Sequence, residues 1–159
     1  MNYLHGRGYR TIPFGDLGVL LRDKKALPHK MFALTFDDGY DNFYSFARPA
    51  LNKFGFRATV FLSAGFIGKV YQYPHQPEEK HLDAEQINTM LPETDFGAHT
   101  VNHPDLTALP LETAAGEIAQ SKKIIEEIIK KPVNTFCYPY GKYNGRIKDI
   151  VRESGFTCA

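Results

Sequence analysis

The sequence predicts an α/β fold built on a parallel sheet or barrel, and three observations carry that expectation. Short apolar runs of strand length alternate with stretches of helical periodicity along the chain. The segments between successive runs are long enough to hold a helix, which is what parallel neighbours require. Three of the runs end abruptly in residues able to do chemistry: Asp37-Asp38, His99, and Tyr138-Pro139-Tyr140-Gly141. In folds of this class, sites gather at the carboxyl ends of the strands.

Taken in order, residues 14–21 carry spaced leucines that suit a short helix packed on a sheet edge, and 24–30 read as a loop. Residues 31–36 are short, bulky and nearly free of polar groups, the pattern of a strand buried on both faces. Phe43, Phe46, Ala47, Ala50, Leu51 and Phe54 fall at helical spacing, Gly55 closes that helix, and Pro49 bends it or marks a start within it. Residues 58–62 form the next strand. Residues 63–80, with Gly65, Gly68, Pro74 and Pro77, read as a surface excursion that could rim a groove. A helix over 82–91 follows, with Asp83 near its start and Pro92 beyond its end. Residues 94–98 form a strand that delivers His99. The clearest helix spans 110–131, with a stripe of Leu111, Ala114, Ile118, Ile125 and Ile128 or Ile129, Glu112 in its first turn and Lys130 and Lys131 in its last. A strand over 133–138, a helix over 144–154 and the start of a strand over 156–159 complete the pattern.

At 159 residues, 43% hydrophobic and 23% charged, the chain reads as one globular domain, residues 1–159, without repeats or low-complexity tracts. A net charge of +1 and the lack of any basic run argue against nucleic acid or an anionic membrane as the main partner. No apolar stretch approaches the ~20 residues of a membrane span, and Met1-Asn2-Tyr3-Leu4-His5 lacks the makings of a signal peptide. The chain is therefore expected to be cytoplasmic, or to depend on an export signal outside this sequence. Cys137 and Cys158 read as two small buried residues, with a pairing between neighbouring strands as the lesser alternative.

Folding gains nothing from two adjacent acids at the end of an apolar strand, since each would be desolvated beside the other. Asp37 and Asp38 thus point to a cation or a reaction, and Gly39 lets the backbone turn so that both can reach one mouth. His99 and His103 are spaced to share a face if they lie on a helical turn, which Pro104 limits to one turn. Two neutral imidazoles and a carboxylate, with Asp38 the candidate, make a three-ligand site suited to zinc or another divalent metal. The third strand end reads in isolation as a buried strand followed by an aromatic-proline turn; its functional alternative is that Pro139 and Gly141 hold a backbone N–H, such as that of Tyr140, toward such a metal, where it would stabilise an oxyanion.

In this order and at these intervals, Thr35-Phe36-Asp37-Asp38-Gly39, His99-Thr100-Val101-Asn102-His103-Pro104 and Tyr138-Pro139-Tyr140-Gly141 resemble the polysaccharide deacetylases of carbohydrate esterase family four. The intervening sequence looks like the branch that acts on poly-β-1,6-N-acetylglucosamine and similar surface glycans. The resemblance implies a distorted (β/α) barrel and metal-dependent removal of N-acetyl groups from an acetylated glycan. It assigns Asp38, His99 and His103 to the metal (Zn2+, with Ni2+, Co2+ or Fe2+ accepted by the same donors), Asp37 to the general base and the Tyr140 N–H to the oxyanion. Such proteins usually work outside the cytoplasm or at the cell surface.

Two departures from the family pattern stand out. Cys137 occupies the place of an arginine that orients the base. The leucine-x-histidine motif that supplies the general acid is expected beyond Ala159, and the first barrel strand before Met1, so the barrel reads as incomplete at both ends. Loss of a general acid costs roughly 10²–10⁴-fold in rate. His75 and His81 could stand in for it, but both read as solvated. The alternatives are a domain that binds metal and glycan without turnover, and an esterase removing O-acetyl groups. Exposed barrel edges would also suit a homo-oligomer.

Overall fold

The computed structural model describes residues 1–72 and 77–159. A short helix α1 (Asn2–Gly6), strand β1 (Arg10–Thr11) and helix α2 (Phe14–Arg22) lead into β2 (Met31–Phe32) and β3 (Thr35–Phe36). A π turn at Phe43–Ala47 runs directly into α3 (Arg48–Asn52), followed by β4 (Ala58–Leu62). A hairpin of β5 (Val70–Gln72) and β6 (Glu78–Lys80) precedes α4 (Ala84–Met90), β7 (Thr94–Ala98), α5 (Leu111–Ile129) and α6 (Gly145–Glu153).

The long pairings are parallel, as helix-length connections demand: β1 with β2, β3 with β4, and β4 with β7. Parallel bridges continue the series from Ala98 to Phe136 and from Thr135 to Cys158, with the Cys137 N–H donating to the Ala98 carbonyl at 2.8 Å. Successive neighbours therefore follow chain order, and all three chemistry-bearing strand ends emerge on the same side. Among the described residues the strands do not close into a ring, so the α/β architecture is present as an open, curved series rather than a complete barrel.

Side chains alternate across β4. Ala58, Val60 and Leu62 enter the main core with Phe96, Ile118 and Ile125. Thr59 and Phe61 face the inner side, where the Phe14 N–H donates to Thr59 Oγ1 at 3.2 Å and the Phe14 and Phe61 rings meet edge-on at 5.5 Å. Helix α2 thus covers the inner face instead of lying on a sheet edge. Gly97 is required opposite Phe61: a Cβ there would stand 2.5 Å from the Phe61 ring and from Thr135 Oγ1.

Several local expectations are corrected. Residues 31–36 form two short strands rather than one buried strand, because Thr35 faces the open inner side and is exposed. The helix over 42–54 begins as a π turn, whose wider winding aligns Phe43, Ala47 and Leu51, four apart, on the core. Phe46 consequently swings out to 76% exposure and Ala50 is exposed. Pro49 falls at the start of α3, directly after the π turn. In α5 the buried stripe is Ala114, Ile118, Ser121, Ile125 and Ile129, while Leu111 is exposed and Lys130 leaves the helix in a left-handed cap.

The excursion folds back as the β5–β6 hairpin, and this overturns the reading of His81 as solvated. The Leu82 N–H donates to the Gly39 carbonyl at 2.8 Å and the His81 N–H to that of Lys69 at 2.9 Å. The His81 ring is held between Tyr40 (centroids 4.9 Å) and Phe66 (5.3 Å), with 1% of the residue exposed. His75 lies outside the described residues. Burial pushes the His81 imidazole below its ordinary value, against weaker opposing pulls from the Asp38 charge and the Lys69 and Glu79 carbonyls.

An unfolded chain protonates this ring near pH ~6.5, the folded chain only at lower pH, so the unfolded state takes up more protons as the pH drops and stability falls with it. Replacing His81 with leucine should flatten the loss of melting temperature as the pH falls below about 6.5. Equal slopes for the two proteins would show that His81 does not contribute to that loss.

Candidate metal centre

The first loop leaves β3 through Asp37, turns at Asp38 and Gly39 with φ of 67° and 73°, and is braced from several sides. Only a left-handed residue makes this turn, and a Cβ on Gly39 would also stand 2.6 Å from Leu62 Cδ2. Asp41, three residues on, accepts from Gln86 Nε2 at 2.6 Å and pairs with Lys80 at 3.2 Å. The Gln86 bond, helped by Lys80, holds the Asp41 carboxyl below its usual range. Gln86 is itself fixed by a reciprocal cap with Asp83 at the start of α4.

The second loop follows β7. His99 is 2% exposed, and its Nδ1 lies 2.8 Å from the Cys137 carbonyl. A carbonyl can only accept, so Nδ1 carries the proton and Nε2 presents its lone pair to the site. Residues 99–103 do not form the expected helical turn: Thr100 and His103 adopt left-handed φ of 66° and 55°, and the His103 N–H donates to Thr100 Oγ1 at 3.0 Å. The two imidazoles still meet, edge-on, with centroids 4.7 Å apart. Glu117 of α5 holds this loop, accepting from the Val101 and Asn102 N–H groups at 2.9 Å each and from Asn102 Nδ2 at 2.7 Å.

The third loop, a 3₁₀ turn at Pro139–Gly141, places Tyr140 in a left-handed conformation (φ 59°, ψ 10°). Its closing bonds run from the Gly141 N–H to the Tyr138 carbonyl and from the Lys142 N–H to that of Pro139, and neither uses the Tyr140 N–H. The exposed Tyr140 ring packs edge-on against His103 at 4.7 Å. Lys142 pairs with Asp105 at 2.6 Å, joining the second and third loops. Lys142 is more than half exposed, so water screens the pair, which orients the loops without securing them.

These loops bring Asp38, His99 and His103 together, their ligand atoms all within 4.8 Å of one another. Asp38 Oδ1 stands 3.8 Å from His99 Nε2 and 3.4 Å from His103 Nε2. Two ligands each about 2.1 Å from a tetrahedral ion would sit about 3.4 Å apart, so the donor set fits a divalent metal. Burial, with His99 alongside, keeps the His103 imidazole below its ordinary value against the pull of Asp38 and Asp37, favouring the neutral form that ligates. Ser63 Oγ donates to Asp38 Oδ1 at 3.4 Å.

Asp37 is exposed, and its carboxylate lies within 4.8 Å of the Cys137 thiol. Burial and then the Asp37 charge push that thiol up to about 12. Cys137 and Cys158 are both free and half-buried, which removes the disulfide alternative in this structure.

The chain matches the Polysaccharide deacetylase family over residues 24–159. The chain belongs to the polysaccharide deacetylase family. It is 31% identical over 157 residues to YxkH of Bacillus subtilis, covering 98% of this chain and 53% of that protein. It is 25% identical to the poly-β-1,6-N-acetyl-D-glucosamine N-deacetylase of Staphylococcus aureus, over 84% of this chain and 48% of that enzyme. Among solved structures, IcaB from Ammonifex degensii superimposes with a TM-score of 0.86 at 28% identity, over 98% of this chain and 70% of that one. The Streptococcus pyogenes deacetylase PplD, in complex with acetate, gives 0.85 at 25% identity, over 97% of this chain and 66% of that one. The chain spans about half the length of the curated relatives it matches. Among its described residues no helix is long and apolar enough to cross a membrane.

Sequence reasoning missed Glu117, Thr100, Ser63 and the Asp41–Gln86 brace. Glu117 lies beside the apolar stripe of α5, between Ala114 and Ser121, a position that in sequence reads as an ordinary solvated helix face. Charge-assisted bonds such as those of Glu117 contribute about 1.5–3 kcal/mol each. Replacing Glu117 with alanine should therefore loosen the loop that carries both histidines and weaken zinc binding by about 10–100-fold, measured by isothermal titration calorimetry. An unchanged affinity would mean that the loop holds its shape without Glu117.

Proposed function

We propose that this chain carries the catalytic centre of a metal-dependent deacetylase, one that removes N-acetyl groups from N-acetylglucosamine-containing polysaccharide. The observation that carries the reading is the grouping of Asp38, His99 and His103 beside a second carboxylate, Asp37, that this group does not use. Asp38, His99 and His103 would hold the ion, for which zinc suits the donors best, with nickel, cobalt and iron acceptable to the same set. When bound, a divalent ion supplies Lewis acidity toward water and the acetamide carbonyl.

Asp37 serves as general base, taking the proton of the attacking water. Its exposure gives it access to solvent, and the Cys137 thiol lies beside it where the family places an arginine. The Tyr140 N–H, held by the left-handed turn at Pro139–Gly141, donates to the developing oxyanion. The His99 Nδ1–H bond to the Cys137 carbonyl keeps the imidazole from rotating as charge develops. Exposed Tyr140 and Tyr143 offer faces on which sugar rings can stack beside the reacting group. The glycan specificity is supported by the likeness to the staphylococcal poly-β-1,6-N-acetyl-D-glucosamine enzyme.

Incubation with zinc and β-1,6-linked N-acetylglucosamine oligomers should release acetate. Asp37→Asn should cut the rate by about 10²–10⁴-fold while leaving zinc content intact. Tight glycan binding without acetate would make the domain a non-catalytic binder. Faster release from O-acetylated than from N-acetylated oligomers would make it an esterase.

A further inference from the structure

A second set of ligand atoms lies alongside the first. The Asp37 carboxylate, a His99 ring nitrogen and Cys137 Sγ are also within 4.8 Å of one another. Asp37 and Cys137 line a cavity of ≈ 210 Å³ on the inner side of the curved sheet, walled by Phe14, Phe61 and Tyr143. Asp37 is exposed and Cys137 half-buried, so the cavity gives an ion a route to both.

The two sets differ in kind. Asp38, His99 and His103 present oxygen and two nitrogens, whereas Asp37, His99 and Cys137 present oxygen, nitrogen and sulfur. Thiolate sulfur selects soft ions, and carboxylate with two imidazoles does not. The sets also share His99. Its Nδ1 donates to the Cys137 carbonyl at 2.8 Å, which leaves Nε2 as the nitrogen with a lone pair to offer either set. An ion held through His99 in one set excludes an ion held through it in the other.

We propose that Asp37, His99 and Cys137 form an alternative site for thiophilic metal ions, of the class of Cd2+ and Hg2+, that competes with the Asp38–His99–His103 site for His99. Binding forms a metal–sulfur bond at Cys137 Sγ and releases the thiol proton to solvent, with no change of oxidation state. An ion in this position takes Asp37 as a ligand and removes it as a base, so soft metals would inhibit the chain. That inhibitory consequence rests on the deacetylase reading. The site itself does not.

The test is a Cd2+ titration of the metal-free full chain, followed by ultraviolet sulfur-to-metal charge-transfer absorption, which needs no substrate turnover. The band should appear in the wild type, in His103→Ala and in Cys158→Ala. It should vanish in both Cys137→Ala and Cys137→Ser, at unchanged far-ultraviolet circular dichroism. No band in the wild type, a band that survives loss of Cys137, or a band lost in His103→Ala would overturn the proposal. The last result would mean that Cys137 only adds a fourth ligand to the first set.

Discussion

The site depends on one hydrogen bond, from His99 Nδ1 to the carbonyl of Cys137. It joins the loop after β7 to the strand end beyond it and decides which ring nitrogen faces the Asp38 carboxylate. Without it the imidazole could rotate, and the convergence of three separate strand ends would leave no directed lone pair at their centre. The parallel register makes the bond available, because the Cys137 N–H is already tied to the Ala98 carbonyl one residue before His99. Backbone pairing thus sets the position of the chemistry.

Around that bond the loops are held in conformations they would not choose alone. Asp38, Thr100, His103 and Tyr140 all have left-handed φ without being glycine, and they are spread over the three strand-end loops. Such residues are uncommon and persist where their surroundings over-determine them. Here the surroundings are Glu117 on two backbone N–H groups, Lys142 on Asp105, and Gln86 with Lys80 on Asp41. Glu117, Gln86 and Lys80 come from elements outside the loops they fix, so the folding of α4, α5 and the β5–β6 hairpin transmits order to the site. The hairpin does this by pinning Gly39 through Leu82 and by burying His81 beneath Tyr40.

What could be read from residues alone divides along the same line. The alternation of strands and helices, and the three loops that end them, were legible because apolar runs stopping at Asp37-Asp38, His99 and Tyr138 contradict ordinary burial rules. Helix α5 was legible because its stripe is long. The exposure of Phe46 was not, since a π turn leaves no mark in a periodicity that still fits an α-helix. His81 was misread because its burial depends on a hairpin docking against the Asp38-Gly39 turn, a tertiary event. Glu117 resembled a solvated helix face, and its function is visible only once the backbone N–H groups of Val101 and Asn102 point at it. Contact between Cys137 and Asp37 was likewise invisible, as it requires knowing which faces of two strands turn inward.

The proposed function requires that Asp38, His99 and His103, from two strand ends, hold a single cation. X-ray absorption at the zinc edge, on the chain loaded with one equivalent of Zn2+, tests it most directly. The bound ion should be surrounded by nitrogen and oxygen only, with the outer-shell signature of two imidazoles. Fewer than two imidazoles, sulfur in the coordination sphere, or failure to retain the ion would contradict it.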